Sequence, residues 1–123
     1  MPIMQAFIFD GFAQQQKDDL KAAYTDAIVA DLSAVRKQVR VLISEVKGVD
    51  TSIGGEGGLP ISLLHIYLMQ GRTEAQKAAL VATLTDDTAR ILHVEQASVR
   101  VLFHDMPTSD VGIGGVTAKA LGR

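Results

Sequence analysis

With 123 residues, 47% of them hydrophobic and 21% charged, the chain has the composition of one globular domain, spanning 1–123, and excludes a disordered segment. A formal charge of -2 with no Lys/Arg run argues against a nucleic-acid or anionic-membrane partner, and the absence of cysteine removes disulfides, thiol chemistry and thiolate metal sites. No apolar stretch approaches membrane length and none reads as a signal peptide, so the expected address is the cytoplasm.

The chain opens Met1-Pro2, and methionine is readily removed before a small residue. Ile3–Phe9 is rich in β-branched and aromatic residues and stops at Asp10-Gly11, which predicts a strand and a turn. A helix is predicted from about Gln14 to Ala30, because Leu20, Ala23, Tyr24, Ala27 and Ile28 fall on one stripe. Val39–Ile43 reads as a second strand, followed by the glycine-rich "SIGGEGG" from Ser52. The pattern then repeats. Thr73 and Gln76 form a capping box for a second helix whose stripe is Leu80, Val81, Leu84, Thr88, Ile91 and Leu92. Val99–Phe103 is the fourth strand, and "GIGG" from Gly112 closes the second copy.

The repetition is in register. "QVRVLISEV" at Gln38–Val46 matches "SVRVLFHDM" at Ser98–Met106 with Arg40 over Arg100, an offset of 60. Gly11 and Gly71, Gln16-Lys17 and Gln76-Lys77, and the two glycine-rich turns keep the same offset. It fails at the prolines: Pro2 and Pro60 are 58 apart, so Ser62 is the true counterpart of Pro2. Repeat 1 therefore runs over about 2–56 and repeat 2 over about 60–119.

A helix between two strands requires parallel strands joined by a right-handed crossover, and two such units give an α+β fold: a four-stranded mixed sheet with two helices on one face. Along the first strand Ile3, Phe7 and Phe9 point one way and Met4, Ala6 and Ile8 the other, so both faces are apolar. The helices cover one face. Further copies of the chain are expected to cover the other, making an obligate homo-oligomer.

Pro2 behind the initiator, a strand ending in glycine, a Gln-Lys helix start, "SVRV" opening the second strand and "GIGG" closing the unit resemble the 4-oxalocrotonate tautomerase family in a fused form holding two subunit-length copies. The resemblance runs from Pro2 to about Lys119. It implies a β-α-β building block, a trimer of fused chains, a small anionic carboxylate substrate, an isomerase with no cofactor or metal, and an amino-terminal proline as catalytic base. The base makes chemical sense. An α-amino group titrates near ~8, and burial with nearby cationic charge disfavours its ammonium form. Pro60 is an internal amide and Ser62 has no amine, so one live site per chain is expected.

Three arginines match the family pattern. Arg72, after Gly71, corresponds to the arginine that binds a distal carboxylate, and its counterpart in the first repeat is Phe12. The resemblance therefore implies that Arg72 serves Pro2 while Phe12 faces the dead end. Arg40 and Arg100 both match the arginine of "SVRV", which engages the substrate's 2-oxo or hydroxyl group, and either is a possible donor from a neighbouring chain. Arg36 and Lys37 read as solvated rim residues. The site-wall aromatic that the family places before "GIGG" is replaced by Val111 in the second repeat and Thr51 in the first, which weakens desolvation.

Other features have simpler readings. Gly54, Gly55, Gly114 and Gly115 suit hairpin backbone. His65, His93 and His104 lack ligand spacing, and Met4, Met69 and Met106 suit packing. The alternatives to a tautomerase are a hydratase, dehalogenase or decarboxylase using protonated Pro2, or a non-catalytic oligomeric module. Hydration calls for a carboxylate that activates water, and neither Asp50 nor Asp110 occupies the required position.

Overall fold

The computed structural model describes residues Met1–Arg123. Its elements recur twice in one order. The first repeat supplies β1 (Ile3–Phe9), α1 (Gln14–Leu32), β2 (Arg40–Val46) and a short ladder of β3 (Ser52–Ile53) with β4 (Glu56–Gly57). The second supplies β5 (Ser62–Met69), α2 (Glu74–Leu92), β6 (Val99–Met106) and the ladder β7 (Gly112–Ile113) with β8 (Val116–Thr117). α1 runs about half a turn past its expected end at Ala30, α2 ends at Leu92, the last residue of its stripe, and β2 and β6 extend to Val46 and Met106, beyond the five-residue cores that their β-branched runs mark.

The main sheet has the order β2-β1-β5-β6, with β1 parallel to β2, β5 parallel to β6, and β1 antiparallel to β5 at the centre. It is the expected α+β arrangement of a mixed four-stranded sheet. At the central seam Ile3 faces Tyr67, Gln5 faces His65 and Phe7 faces Leu63. Gln5 and His65 are equivalent positions of the two repeats, so this pair lies on the pseudo-two-fold axis that relates them. That axis sends the start of β1 and the start of β5 to opposite ends of the sheet.

Alternation places Met4, Ala6 and Ile8 of β1 and Leu64, Ile66 and Leu68 of β5 beneath the helices, all essentially without solvent exposure. Against them pack Leu20, Tyr24, Ala27, Ile28 and Leu32 of α1 and Leu80, Leu84, Thr88, Ile91 and Leu92 of α2. Val81 corrects the expected stripe: it is 37% exposed, because a residue next to Leu80 is turned about 100° away from the core. The α2 start carries the full capping box, with the Gln76 N–H donating to Thr73 Oγ1 at 3.1 Å and the Thr73 N–H to Gln76 Oε1 at 2.9 Å. At α1 only the second half exists, since Ala13 has no side-chain acceptor and its N–H alone bonds Gln16 Oε1.

The helices pack antiparallel, with Tyr24 opposite Thr88 and Thr83 opposite Asp31. The Tyr24 hydroxyl donates to Thr88 Oγ1 at 2.5 Å, and Thr88 passes its own proton to the Leu84 carbonyl at 2.7 Å. Burial, chiefly, pushes the Tyr24 phenol far above its ordinary value. Thr88→Val keeps the shape but leaves the Tyr24 hydroxyl buried and unpaired, which costs about 1–3 kcal/mol. A thermal melt should show the loss; an unchanged melting temperature means the phenol has found another acceptor.

The repeat register extends to the surface. Lys17 pairs with Glu45, and sixty positions on Lys77 pairs with Asp105 at 2.6 Å, each tying a helix to its second strand. The opposite face of the sheet has no helix over it. Ile3, Phe7 and Phe9 are half-buried there, and Leu42 and Leu102 on the outer strands are 52% and 44% exposed.

Candidate active site

The start of β1 forms one end of the sheet, and the antiparallel seam decides what meets it. Ile3 pairs with Tyr67, so the end of β5 and the turn after it run past the amino terminus. Gly71 takes φ +123 in that turn, a conformation that favours glycine, and Arg72 follows it directly. On the other flank Ile3 pairs with Arg40, and the Arg40 N–H donates to the Pro2 carbonyl at 3.1 Å. Pro2 itself is buried.

Beside the amino terminus lies a cleft of about 460 Å³ lined by Met1, Ile3, Lys37, Gln38, Arg40, the Val111–Gly114 segment and Arg123. Lys37, Arg40 and Arg123 line it, with no Asp or Glu side chain among the lining residues, and none of the three, nor Arg72, forms a salt bridge. The terminal ammonium of Met1 is held below the ordinary α-amino value of 8.0 by burial first, then by the charges of Arg123, Arg40 and Arg72. An amine biased toward its neutral form and facing unpaired guanidinium groups can accept a proton beside a bound anion. No group of three His, Asp or Glu side chains comes together in the fold.

Each residue singled out in the sequence has a definite place. Arg40 and Val111 line the cleft at the amino terminus, and Arg72 lies close enough for its charge to act on the amine. Arg100 does not join them. It pairs with Leu63 at the opposite end of the sheet, where its Nη1 donates to the Ala97 carbonyl at 2.6 Å and the Val99 carbonyl at 3.2 Å. Phe12 packs against the hydrophobic core, and Thr51 lines a hollow of about 20 Å³ with Phe7, Phe9, Val46 and Ile61, so neither adjoins the amino terminus. The paired glycines form the tips of the two short ladders with φ of +59 and +83 at Gly54-Gly55 and +59 and +90 at Gly114-Gly115.

Two features were hidden in the sequence. Lys37, expected on the solvated rim, lines the cleft, and Arg123 reaches it from beyond the end of the second repeat. His65 and His104 are also brought together: Nδ1 of His65 lies 2.8 Å from Nε2 of His104 on the open face, with Tyr67 stacked 4.4 Å from His104. Strand pairing alone makes that contact, and no spacing along the chain signals it.

The family profile of tautomerase enzymes matches residues 63–121. The 2-hydroxymuconate tautomerase of Comamonas testosteroni is 43% identical over 59 residues, 48% of this chain and 94% of that one. A solved fused 4-OT, wild type, in an asymmetric trimer is 36% identical with a TM-score of 0.93 over 98% of this chain and 99% of its own. A further structure, of Pt0534 inactivated by 2-oxo-3-pentynoate, is 30% identical with a TM-score of 0.95 over 98% and 99% of the two chains. The short relative spans one repeat and the solved fused chain spans both, so the chain belongs to the tautomerase family as a fused two-copy member of the 4-oxalocrotonate tautomerase type, an isomerase of that kind.

Proposed function

We propose that the chain moves a proton within small 2-hydroxydienoates or 2-oxo acids, with the secondary amine of Pro2, freed by removal of Met1, as the general base. The observation that carries this reading is the cleft itself: an amine at a sheet end, cationic side chains around it, and no acidic residue in its lining. Loss of Met1 would leave the amine one residue deeper, at a buried position under the same charges. The amine takes the proton of the 2-hydroxyl as that carbon–oxygen bond becomes a carbonyl, and the prolyl ammonium returns it to a carbon of the dienolate. No net acid or base is consumed. Arginines bind the carboxylates and offset the enolate charge, which grows in the transition state.

Arg40 and Arg72 take these roles within the chain, and Val111 supplies an apolar wall. Arg100 reaches a Pro2 amine only from a neighbouring chain. We assign the assembly as a homotrimer, supported by the uncovered apolar sheet face and by the trimeric fused relative. Light scattering should give three times the 13.2 kDa chain mass. A stable monomer with full activity would remove Arg100 from the site.

The lack of an Asp or Glu side chain in the cleft favours isomerisation over hydration, which needs a group to activate water. The test is ultraviolet absorbance with 2-hydroxymuconate, phenylenolpyruvate and a haloacrylate. Loss of the dienol or enol band in the first two is expected. Turnover of the haloacrylate alone would overturn the reading.

A further inference from the structure

Beyond the arginines that match the family pattern, the cleft holds one more guanidinium, and the fold builds a support for it. After β8 the chain does not trail away. Ala118 is fully buried, its N–H donates to the Val111 carbonyl at 2.8 Å, and the Lys119 N–H donates to the Thr108 carbonyl at 3.1 Å. The Ala120 N–H bonds Thr117 Oγ1, the Leu121 N–H the Thr117 carbonyl and the Gly122 N–H the Lys119 carbonyl, before the Arg123 N–H closes back on Ala118 at 3.0 Å. Gly122 takes φ +76, which folds the last turn back toward the start of β1.

This arm has no equivalent in the first repeat. Sixty positions earlier, 58–63 is the lead-in to β5 and its first two residues, so the device belongs to the end of the sheet that carries the amino terminus. Arg123 lines the cleft with Arg40 and Lys37 and has no carboxylate partner. An unpaired guanidinium carried on a hydrogen-bonded turn into a cleft without Asp or Glu side chains is suited to bind an anion with little ordering cost.

We propose that Arg123 is a specificity-determining residue that binds a substrate carboxylate at the Arg40 side of the cleft, adding a third cationic contact and favouring dicarboxylates. The inference deepens the tautomerase reading and rests on it for its kinetic test. Its charge also stands first among those that act on the terminal amine, ahead of Arg40 and Arg72.

With 2-hydroxymuconate as substrate, Arg123→Ala should raise KM on the order of tenfold while kcat stays within about twofold, the pattern of a lost contact made equally in ground and transition states. Arg123→Lys should recover part of it. The acid limb of kcat/KM should move to higher pH in the alanine variant, because a positive charge has left the amine's surroundings. Lys119→Ala, exposed on the same turn, serves as the control and should match the parent chain. Unchanged KM and pH limb in a correctly assembled Arg123→Ala, or equal damage from Lys119→Ala, overturns the proposal. If the parent chain turns over no dienol at all, the tautomerase reading falls separately. Binding of cis,cis-muconate, a dicarboxylate with no hydroxyl to tautomerise, then tests Arg123 by calorimetry: a tenfold weaker Kd in Arg123→Ala is expected, and equal affinity overturns it.

Discussion

A chain carrying one uncleaved residue ahead of Pro2 is expected to assemble and melt like the mature chain, yet to lose on the order of 10³-fold in kcat/KM, within the range of a removed general base. The extension makes the Pro2 nitrogen an amide, which cannot accept a proton. It leaves the core untouched, because Met4, Ala6 and Ile8 are buried by strand alternation and not by the terminus. Intact mass of the active protein should show Met1 gone. The mature enzyme's kcat/KM should rise with pH through a single acid limb and then level off, because the base is productive only when neutral. Burial and the charges of Arg123, Arg40 and Arg72 lower the titration of the Met1 amine, and the same causes acting on the Pro2 amine are expected to hold that limb below the ordinary α-amino range. Pro2→Ala keeps an amine in nearly the same place and should retain measurable turnover. Full activity in an extended, correctly assembled variant would remove Pro2 as base.

The second large effect separates two residues that occupy the same position in the two repeats. Arg72→Ala should reduce kcat/KM on the order of 10²-fold, the scale of losing a charge-assisted contact to a bound anion. Phe12→Ala should leave the rate nearly unchanged and lower stability by about 1–2 kcal/mol, less than a fully buried phenylalanine costs because this ring is only partly buried against the core. Steady-state kinetics and a thermal melt on both variants make the comparison. Equal kinetic damage from the two would place the live site in the wrong half of the chain.

The parts of this molecule that were legible in sequence are those set by neighbours along the chain. β1 falls on Ile3–Phe9 as its β-branched and aromatic run predicts, and Thr73 with Gln76 marks the start of α2 because a capping box closes over three residues. The offset between Arg40 and Arg100 carried the fold, since two units in register require the same supersecondary element twice. What escaped depends on chain segments far apart in sequence. His65 and His104 touch only because β5 and β6 align Tyr67 with His104 one pleat away. Lys37 looked like a rim residue because nothing local shows that it shares a cleft with Val111–Gly114. Arg123 lay outside the repeat and so outside the comparison that gave the other arginines their meaning. The equivalence of Arg40 and Arg100 could not be broken from within the repeats, whereas the antiparallel seam breaks it at once by sending them to opposite ends of the sheet.

The pseudo-two-fold axis through Gln5 and His65 has a consequence for how such a molecule can change. In an assembly of short identical chains, one codon writes both ends of every paired unit, so a residue good for one end is imposed on the other. Joining the copies gives each end its own codon. Here the position after the first glycine is Phe12 at one end and Arg72 at the other, and the position at the strand start is Pro2 at one end and Ser62 at the other. On the proposed reading, fusion costs the second amine, and in return half of the former site is released to serve packing while the remaining half is tuned alone.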